Sequence, residues 1–194
     1  LNPELVKSRT RVVPGDGPET AEVFFIGEAP GFNEDQKGRP FVGPAGQFLN
    51  SLLTIAGWRR EDVFITNVVK CRPQGNRDPL PSEISNCSQW LDRQLSIVRP
   101  KVIVTLGRYS MARFFSGQSI SKVHGTSRWV DGALCFAMYH PAAALHQQSL
   151  RPVLEEDARK LPQVLAQARA EATKLEQQRA QPADDKGPQQ LSLF

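Results

Sequence analysis

Four apolar runs break the polar background of this chain: Val23-Phe24-Phe25-Ile26, Val63-Phe64-Ile65-Thr66-Asn67-Val68-Val69, Val102-Ile103-Val104-Thr105-Leu106 and Cys135-Phe136-Ala137-Met138-Tyr139. Each is short, rich in β-branched and aromatic residues, and lacks polar alternation, as expected of a strand buried on both faces. Helical spacing lies between them. Phe48, Leu49, Leu52, Leu53 and Ile55 line one face of 47–56, and Ile84, Trp90, Leu91, Leu95 and Val98 line one face of 82–98, with Ser82 as a candidate cap. A further helix is expected over 109–115, then a basic loop, a hairpin at Asp131-Gly132, and a long charged helix over 153–178. The segment before Val23 holds Pro14-Gly15-Asp16-Gly17-Pro18 and reads as loop. Strands alternating with helices predict an α/β fold, a three-layer α/β/α sandwich around a central four-stranded, mostly parallel sheet.

The pattern stops after Gln178. Gln, Ala, Pro, Asp and Gly then dominate until Gln190-Leu191-Ser192-Leu193-Phe194. The expected organisation is one domain over 1–178 and a flexible tail over 179–194 that ends in a small apolar plug.

Composition adds modest bounds. The chain has 194 residues, 40% of them hydrophobic, and a formal charge of +4. That bias is compatible with a polyanionic partner without requiring one. No stretch approaches the roughly 20 apolar residues of a membrane span and no secretory pattern opens the sequence, so a cytoplasmic protein without a membrane partner is expected. Three cysteines, Cys71, Cys87 and Cys135, argue against a disulfide framework. Cys135 sits in an apolar run as a core residue, whereas Cys71 and Cys87 flank a loop and a helix start.

Two loops carry the candidate chemistry. Gly27-Glu28-Ala29-Pro30-Gly31 follows the first strand, and His140-Pro141-Ala142-Ala143-Ala144-Leu145 follows the fourth. Open α/β sheets bind ligands outside the carboxyl ends of their strands. Side-by-side strands would set a carboxylate against an imidazole across one pocket.

These loops, with Arg9-Thr10-Arg11-Val12-Val13, Gly38-Arg39-Pro40-Phe41-Val42-Gly43, Thr66-Asn67-Val68-Val69-Lys70-Cys71-Arg72-Pro73 and Asn76-Arg77, resemble the family 4 uracil-DNA glycosylases, the iron–sulfur branch of that superfamily. The resemblance spans residues 9–145 and implies removal of uracil from DNA after base flipping, leaving an abasic site. It implies that Phe41 stacks on the base, that Asn67 reads its O4/N3 edge, and that His140 donates to O2 as charge builds there. Ala29 stands in the base-binding loop where other branches carry a water-activating Asp. The group that handles the water is open between Glu28, the first choice, and Glu34, Asp35 and Asn76, with Glu34 and Asp35 also candidates for organising the loop. Pro30, Gly31, Pro44, Ala45, Gly46 and the Ser119–Lys122 stretch (Lys122 above all) are suited to phosphate contact, with Arg39, Arg72 and Arg77 as further cations.

The family also implies a 4Fe–4S cluster on four cysteines. Cys71 and Cys87 match the later two, and the earlier two should lie just before Arg9, where residues 1–8 contain none. Either they precede Leu1, the preferred reading, or this member lacks the cluster. The tail peptide resembles the one by which bacterial repair proteins dock on the sliding clamp, with Gln190, Leu191, Leu193 and Phe194 as contacts. A nucleoid-associated monomer is expected. Two other readings fit the sequence less well. A covalent uracil-DNA trap is disfavoured because the 72–81 loop is short and lacks His, and a nucleotide-binding enzyme because the Gly27 loop lacks a Walker lysine and GxGxxG spacing.

Overall fold

The computed structural model describes residues 3–180. Its strands are β1 (Val23–Gly27), β2 (Phe64–Asn67), β3 (Val102–Leu106), β4 (Ser127–Val130) and β5 (Ala133–Met138), forming one sheet in the order β2-β1-β3-β5-β4. The expected parallel strands β1, β2, β3 and β5 are all present. The sheet has a fifth strand: β4 pairs antiparallel with β5 at one edge. Its residues Ser127, Arg128 and Trp129 are exposed, so it carries no apolar signature. The connecting turn was legible, because Asp131 and Gly132 both adopt positive φ, 49° and 84°, as a two-residue hairpin of this sequence requires.

The apolar runs have no polar alternation because both faces of the sheet are covered. Val23, Phe25, Val104, Leu106, Phe136 and Met138 point into one core, and Phe24, Ile26, Ile103, Cys135 and Ala137 into the other. Helices α3 (Pro44–Ile55) and α8 (Leu150–Ala180) close the first core through Phe48, Leu49, Leu52, Leu53, Leu154, Ala158, Leu161 and Leu165. Helices α4 (Pro81–Val98) and α5 (Arg108–Phe114) close the second through Leu91, Val98, Met111 and Phe114. Burying one such side chain contributes about 1.5–3 kcal/mol, so two filled layers supply the main driving force for this fold.

Several local expectations change. The α4 cap position is Leu80, with Pro81 at the first helical residue, rather than Ser82. Trp90 is half exposed and lies outside the packed face of α4. Short helices α1 (Pro3–Ser8), α2 (Phe32–Lys37), α6 (Ile120–Val123) and α7 (Pro141–His146) occupy stretches read as loop. Glu22, just before β1, ties α8 to the base of the sheet: it accepts from Lys101 Nζ at 2.6 Å and from Arg169 Nε at 3.1 Å. No helix of the described residues is long and apolar enough to cross a membrane.

Candidate active site

The register places the candidate residues on one edge. Gly27 and Asn67 are lateral partners at the carboxyl ends of β1 and β2, and Leu106 pairs with Met138 at the ends of β3 and β5. The chain reverses direction across the sheet between β1 and β3, the position where α/β sheets open a crevice. The two motif strands β1 and β5 are not neighbours, because β3 lies between them. A side chain spans that gap: the Phe41 ring stacks on His140 with centroids 5.5 Å apart and planes at 28°, and its far edge reaches Gly27.

Gly27 is required by this closeness. A Cβ there would overlap Asn67 Oδ1 and lie 2.6 Å from Phe41 Cζ. The Asn67 side chain is buried, and its Oδ1 has no hydrogen-bond partner. Such an acceptor costs free energy in the empty site and favours any ligand that brings it an N–H.

His140 caps α7. Its Nδ1 accepts the Ala142 N–H at 3.1 Å, with Pro141 at the first helical position. Accepting at Nδ1 leaves the ring proton on Nε2, at the opposite side of the ring from the helix. Burial lowers the imidazolium to about 4, so at neutral pH the ring is an uncharged donor held in one tautomer. Gly107, at φ 87°, turns the chain after β3 where its Cβ would lie 3.0 Å from His140 Cβ.

Phe41 is buried in a left-handed backbone conformation, φ 50°, an uncommon state for a bulky residue. Two polar residues hold it. Arg60 Nη1 donates to the Phe41 carbonyl at 2.9 Å, and Nη2 donates to Pro40 O. Glu34 accepts from Val42 N at 2.9 Å and Gly43 N at 2.8 Å on one oxygen, and from Gly31 N at 3.1 Å on the other. Glu34 thus staples the Gly27 loop to the Phe41 loop. That geometry gives Glu34 the loop-organising role that the sequence left open for it. Asp35 is likewise structural. Burial opposes its ionisation, but the amides of Arg11 and Thr10 hold its carboxyl below the usual range.

Glu28 differs. It is half-buried, and no backbone amide or cation is in hydrogen-bond contact with its carboxylate among the described pairs. Burial first, and the Asp78 carboxylate second, raise it to about 7, with Arg108 opposing. Asp78 and Arg108 form an ion pair with each other. Asn76 is exposed at φ 56°, with Oδ1 accepting from Arg72 Nε at 2.7 Å.

Other expected contacts divide. The Ala29 methyl packs against Leu5, Val69, Cys71 and Cys87, leaving its backbone as the part available to a base. Gly46 is buried directly under the Phe41 carbonyl, an approach that its small size permits. Pro30 is buried, Gly31 and Ala45 are half-buried, and Pro44 and Lys122 are exposed. Arg39 pairs with Asp16 at 2.8 Å, and Arg77 with the fully buried Glu83 at 2.6 Å. Arg60, Asp78 and Arg108 carry no sequence signal for their roles. Each acts through a residue far away in the chain, so no local spacing marks it.

Cys71 and Cys87 are buried in one small cluster with Leu5 and Val69, and Arg9 Nη1 donates to Cys71 Sγ at 3.2 Å. The two thiols fit half of a four-thiolate set. Among the described residues, no group of three or more His, Cys, Asp or Glu is placed to hold a metal ion. Residues 190–194 lie outside the described residues.

The family model of the Uracil DNA glycosylase superfamily matches residues 14–165. A type-4 uracil-DNA glycosylase of Sulfurisphaera tokodaii is 52% identical over 81% of this chain and 76% of its own length. Those of Archaeoglobus fulgidus and Saccharolobus solfataricus are 48% and 51% identical over 81% and 84% of this chain and 84% and 80% of their own lengths. With Phe41, Asn67 and His140 gathered at the switch point of the sheet, the chain belongs to the uracil-DNA glycosylase superfamily and to its type-4 family.

Proposed function

We propose that this protein hydrolyses the N-glycosidic bond of uracil in DNA, as a monofunctional glycosylase that leaves an abasic site. The buried, unpartnered Asn67 Oδ1 carries this reading. Uracil offers N3–H to it, whereas cytosine has a bare nitrogen there, and the Asn67 amide N–H suits O4 in place of an amino group. Phe41 supplies the stacking face and returns part of the few kcal/mol spent on flipping the base.

As the bond from C1′ to N1 breaks, its electron pair moves onto the base and negative charge collects at N1 and O2. His140 Nε2–H meets that charge at O2. A neutral donor already fixed by Ala142 needs no reorganisation, and a preorganised donor of this kind is worth about 3 kcal/mol. The Glu28 carboxylate stabilises the cationic sugar and accepts a proton from the attacking water, whose hydroxyl adds to C1′. Pro44, Ala45, Gly31 and Lys122 lie toward the DNA backbone.

Cys71 and Cys87 would hold two corners of a 4Fe–4S cluster, which would tie the chain after β2 to α4 and would supply no step of the reaction. Iron and acid-labile sulfide in the natural full-length protein support this, and their absence refutes it. The 190–194 peptide docks the enzyme on a bacterial sliding clamp while it works as a monomer on nucleoid DNA in the cytoplasm.

The test of the central reading is a uracil-containing oligonucleotide followed by alkaline cleavage on a denaturing gel. Strand breaks at uracil that require alkali, with none where cytosine replaces uracil in the same sequence, are the expected result. An intact strand, or a protein–DNA adduct in place of free uracil, overturns it.

A further inference from the structure

Lys70, just past the end of β2, is a buried lysine that the reaction above does not use; it is only 3% exposed. Its Nζ donates to Thr66 Oγ1 at 2.7 Å, to the Asn67 carbonyl at 2.6 Å and to Gln94 Oε1 of α4 at 2.7 Å. All three acceptors are neutral: a hydroxyl, a peptide oxygen and a side-chain amide. Val12, Pro14, Trp90 and Ile97 line the cavity on the same side. An ammonium taken out of water onto neutral acceptors costs free energy that an apolar side chain of similar length avoids. The supporting network is complete, since Thr66 Oγ1 and Gln94 Nε2 each donate to Pro14 O at 2.7 Å.

What the ammonium holds is the peptide that follows Asn67. Successive side chains of a strand point to opposite faces, so Thr66 meets Gln94 of α4 while Asn67 turns toward Gly27 and Phe41. Lys70 therefore reaches Asn67 from the α4 side, at its backbone. The Asn67 carbonyl accepts from Lys70, and the next N–H, of Val68, donates to Gly27 O at 3.0 Å. That peptide plane is fixed at both ends. Val69 N–H donates to Glu28 O at 3.1 Å, so the same short stretch also carries the Glu28 loop. Asn67 Oδ1 has no hydrogen-bond partner, so the direction of this oxygen depends on the backbone that Lys70 holds.

We infer that Lys70 is a positioning residue for uracil recognition: by fixing the Asn67 peptide it aims the Asn67 amide at the base. The inference rests on the reading that Asn67 meets the uracil edge. Buried on the far face of the sheet, Lys70 acts through Asn67 and makes no contact with the base.

Lys70→Met tests this, since methionine keeps an apolar stem of similar length and removes the ammonium. Single-turnover excision from a uracil-containing duplex should fall about tenfold, the worth of one misaimed hydrogen bond. Affinity for a duplex carrying an abasic-site analogue, which brings no base to Asn67, should stay at the wild-type value. The Tm should hold or rise, because the cost of burying the ammonium is gone. In an Asn67→Ala background K70M should cost nothing further, the non-additivity of two residues that act as one unit. Wild-type excision by K70M, or a loss that adds in full to that of N67A, overturns the inference. So does a loss that merely follows Tm and abasic-DNA affinity downward, as a structural role predicts. Should K70M fold poorly, Gln94→Met decides, because it keeps Lys70 and removes the acceptor that anchors the ammonium to α4. Q94M should slow excision severalfold at unchanged abasic-DNA affinity, and a wild-type rate overturns the inference. The wild type and N67A are read in parallel: a wild type that frees no uracil defeats the glycosylase reading, and an N67A of full activity defeats the Asn67 assignment, both distinct from failure at Lys70.

Discussion

Gly27 shows how much of the site rests on single atoms. Its missing side chain is the space in which Asn67 Oδ1 and the Phe41 ring come together. Gly27→Ala should leave β1 paired but displace both base-binding groups, and misplacement on this scale costs about a hundredfold in rate. Single-turnover excision measures it, and a wild-type rate in G27A would remove Asn67 and Phe41 from their assigned places. Glu28 gives the pH dependence. Its carboxyl is raised to about 7 by burial and then by Asp78, so the anion dominates above that pH and the acid below it. The rate should therefore rise with pH through about 7 and level off. Asp78→Asn removes a like charge and should move that limb to lower pH, whereas Glu28→Gln should lose both the limb and most of the activity. A limb unmoved by D78N and retained in E28Q would assign the titration elsewhere. The His140 imidazole, lowered to about 4, is neutral throughout this range and does not contribute to the limb.

At the scale of elements, loops in this protein are held from outside themselves. The Phe41 loop takes its shape from Arg60 and Glu34, and the loop after β2 is closed by Arg77 on the buried Glu83. Helix α8 is tied at its far half by Glu22, whose carboxyl is held at about 2 by Arg169 and Lys101 against the ordinary 4.5. A depressed carboxyl stabilises the fold above the ordinary value and stops doing so as pH falls through the folded one. Glu22 is one-third exposed, so solvent screening keeps the effect near or below about 1 kcal/mol. Glu22→Gln should lower Tm by about 2–4 °C at pH 7. The gap should close between pH 4.5 and 2. Thermal melts across that window check it, and a constant gap would show that the charge is not the cause.

For the molecule as a whole, the proposed uracil pocket and the proposed docking peptide make separate predictions. A tethered docking peptide raises the local concentration of enzyme on clamp-bound DNA without new contacts at the base. Deleting residues 190–194 should abolish binding to the clamp while excision from a short free oligonucleotide continues at the wild-type rate. Unchanged clamp affinity in pull-down or calorimetry refutes the docking role. The same scale governs the cysteines: Cys71 and Cys87 share one buried cluster although a loop and the first turns of α4 separate them.

Much of this was legible along the chain, for definite reasons. A strand covered on both faces is mostly apolar without alternation, so β1, β2, β3 and β5 announced themselves despite the buried Thr66, Asn67 and Thr105, whereas β4, exposed at an edge, did not. The motif loops were legible too, because Gly27, Phe41, Asn67 and His140 sit at strand ends or in tight turns that local sequence specifies. Roles that depend on long-range partners could not be read there. The amide bonds that Glu34 accepts across two loops and the Arg72 bond to Asn76 have no local signature. Asp157 and His124 are thirty-three positions apart and meet only because α8 packs back over β5. The sequence determined the strands, the loops and the chemical types at the pocket, since these depend on burial and local turn geometry. Only the tertiary structure decided which carboxylate is left free, that β3 separates the two motif strands, and that Phe41 closes the gap, since hydrogen bonds and charge couplings form between residues the chain itself keeps apart.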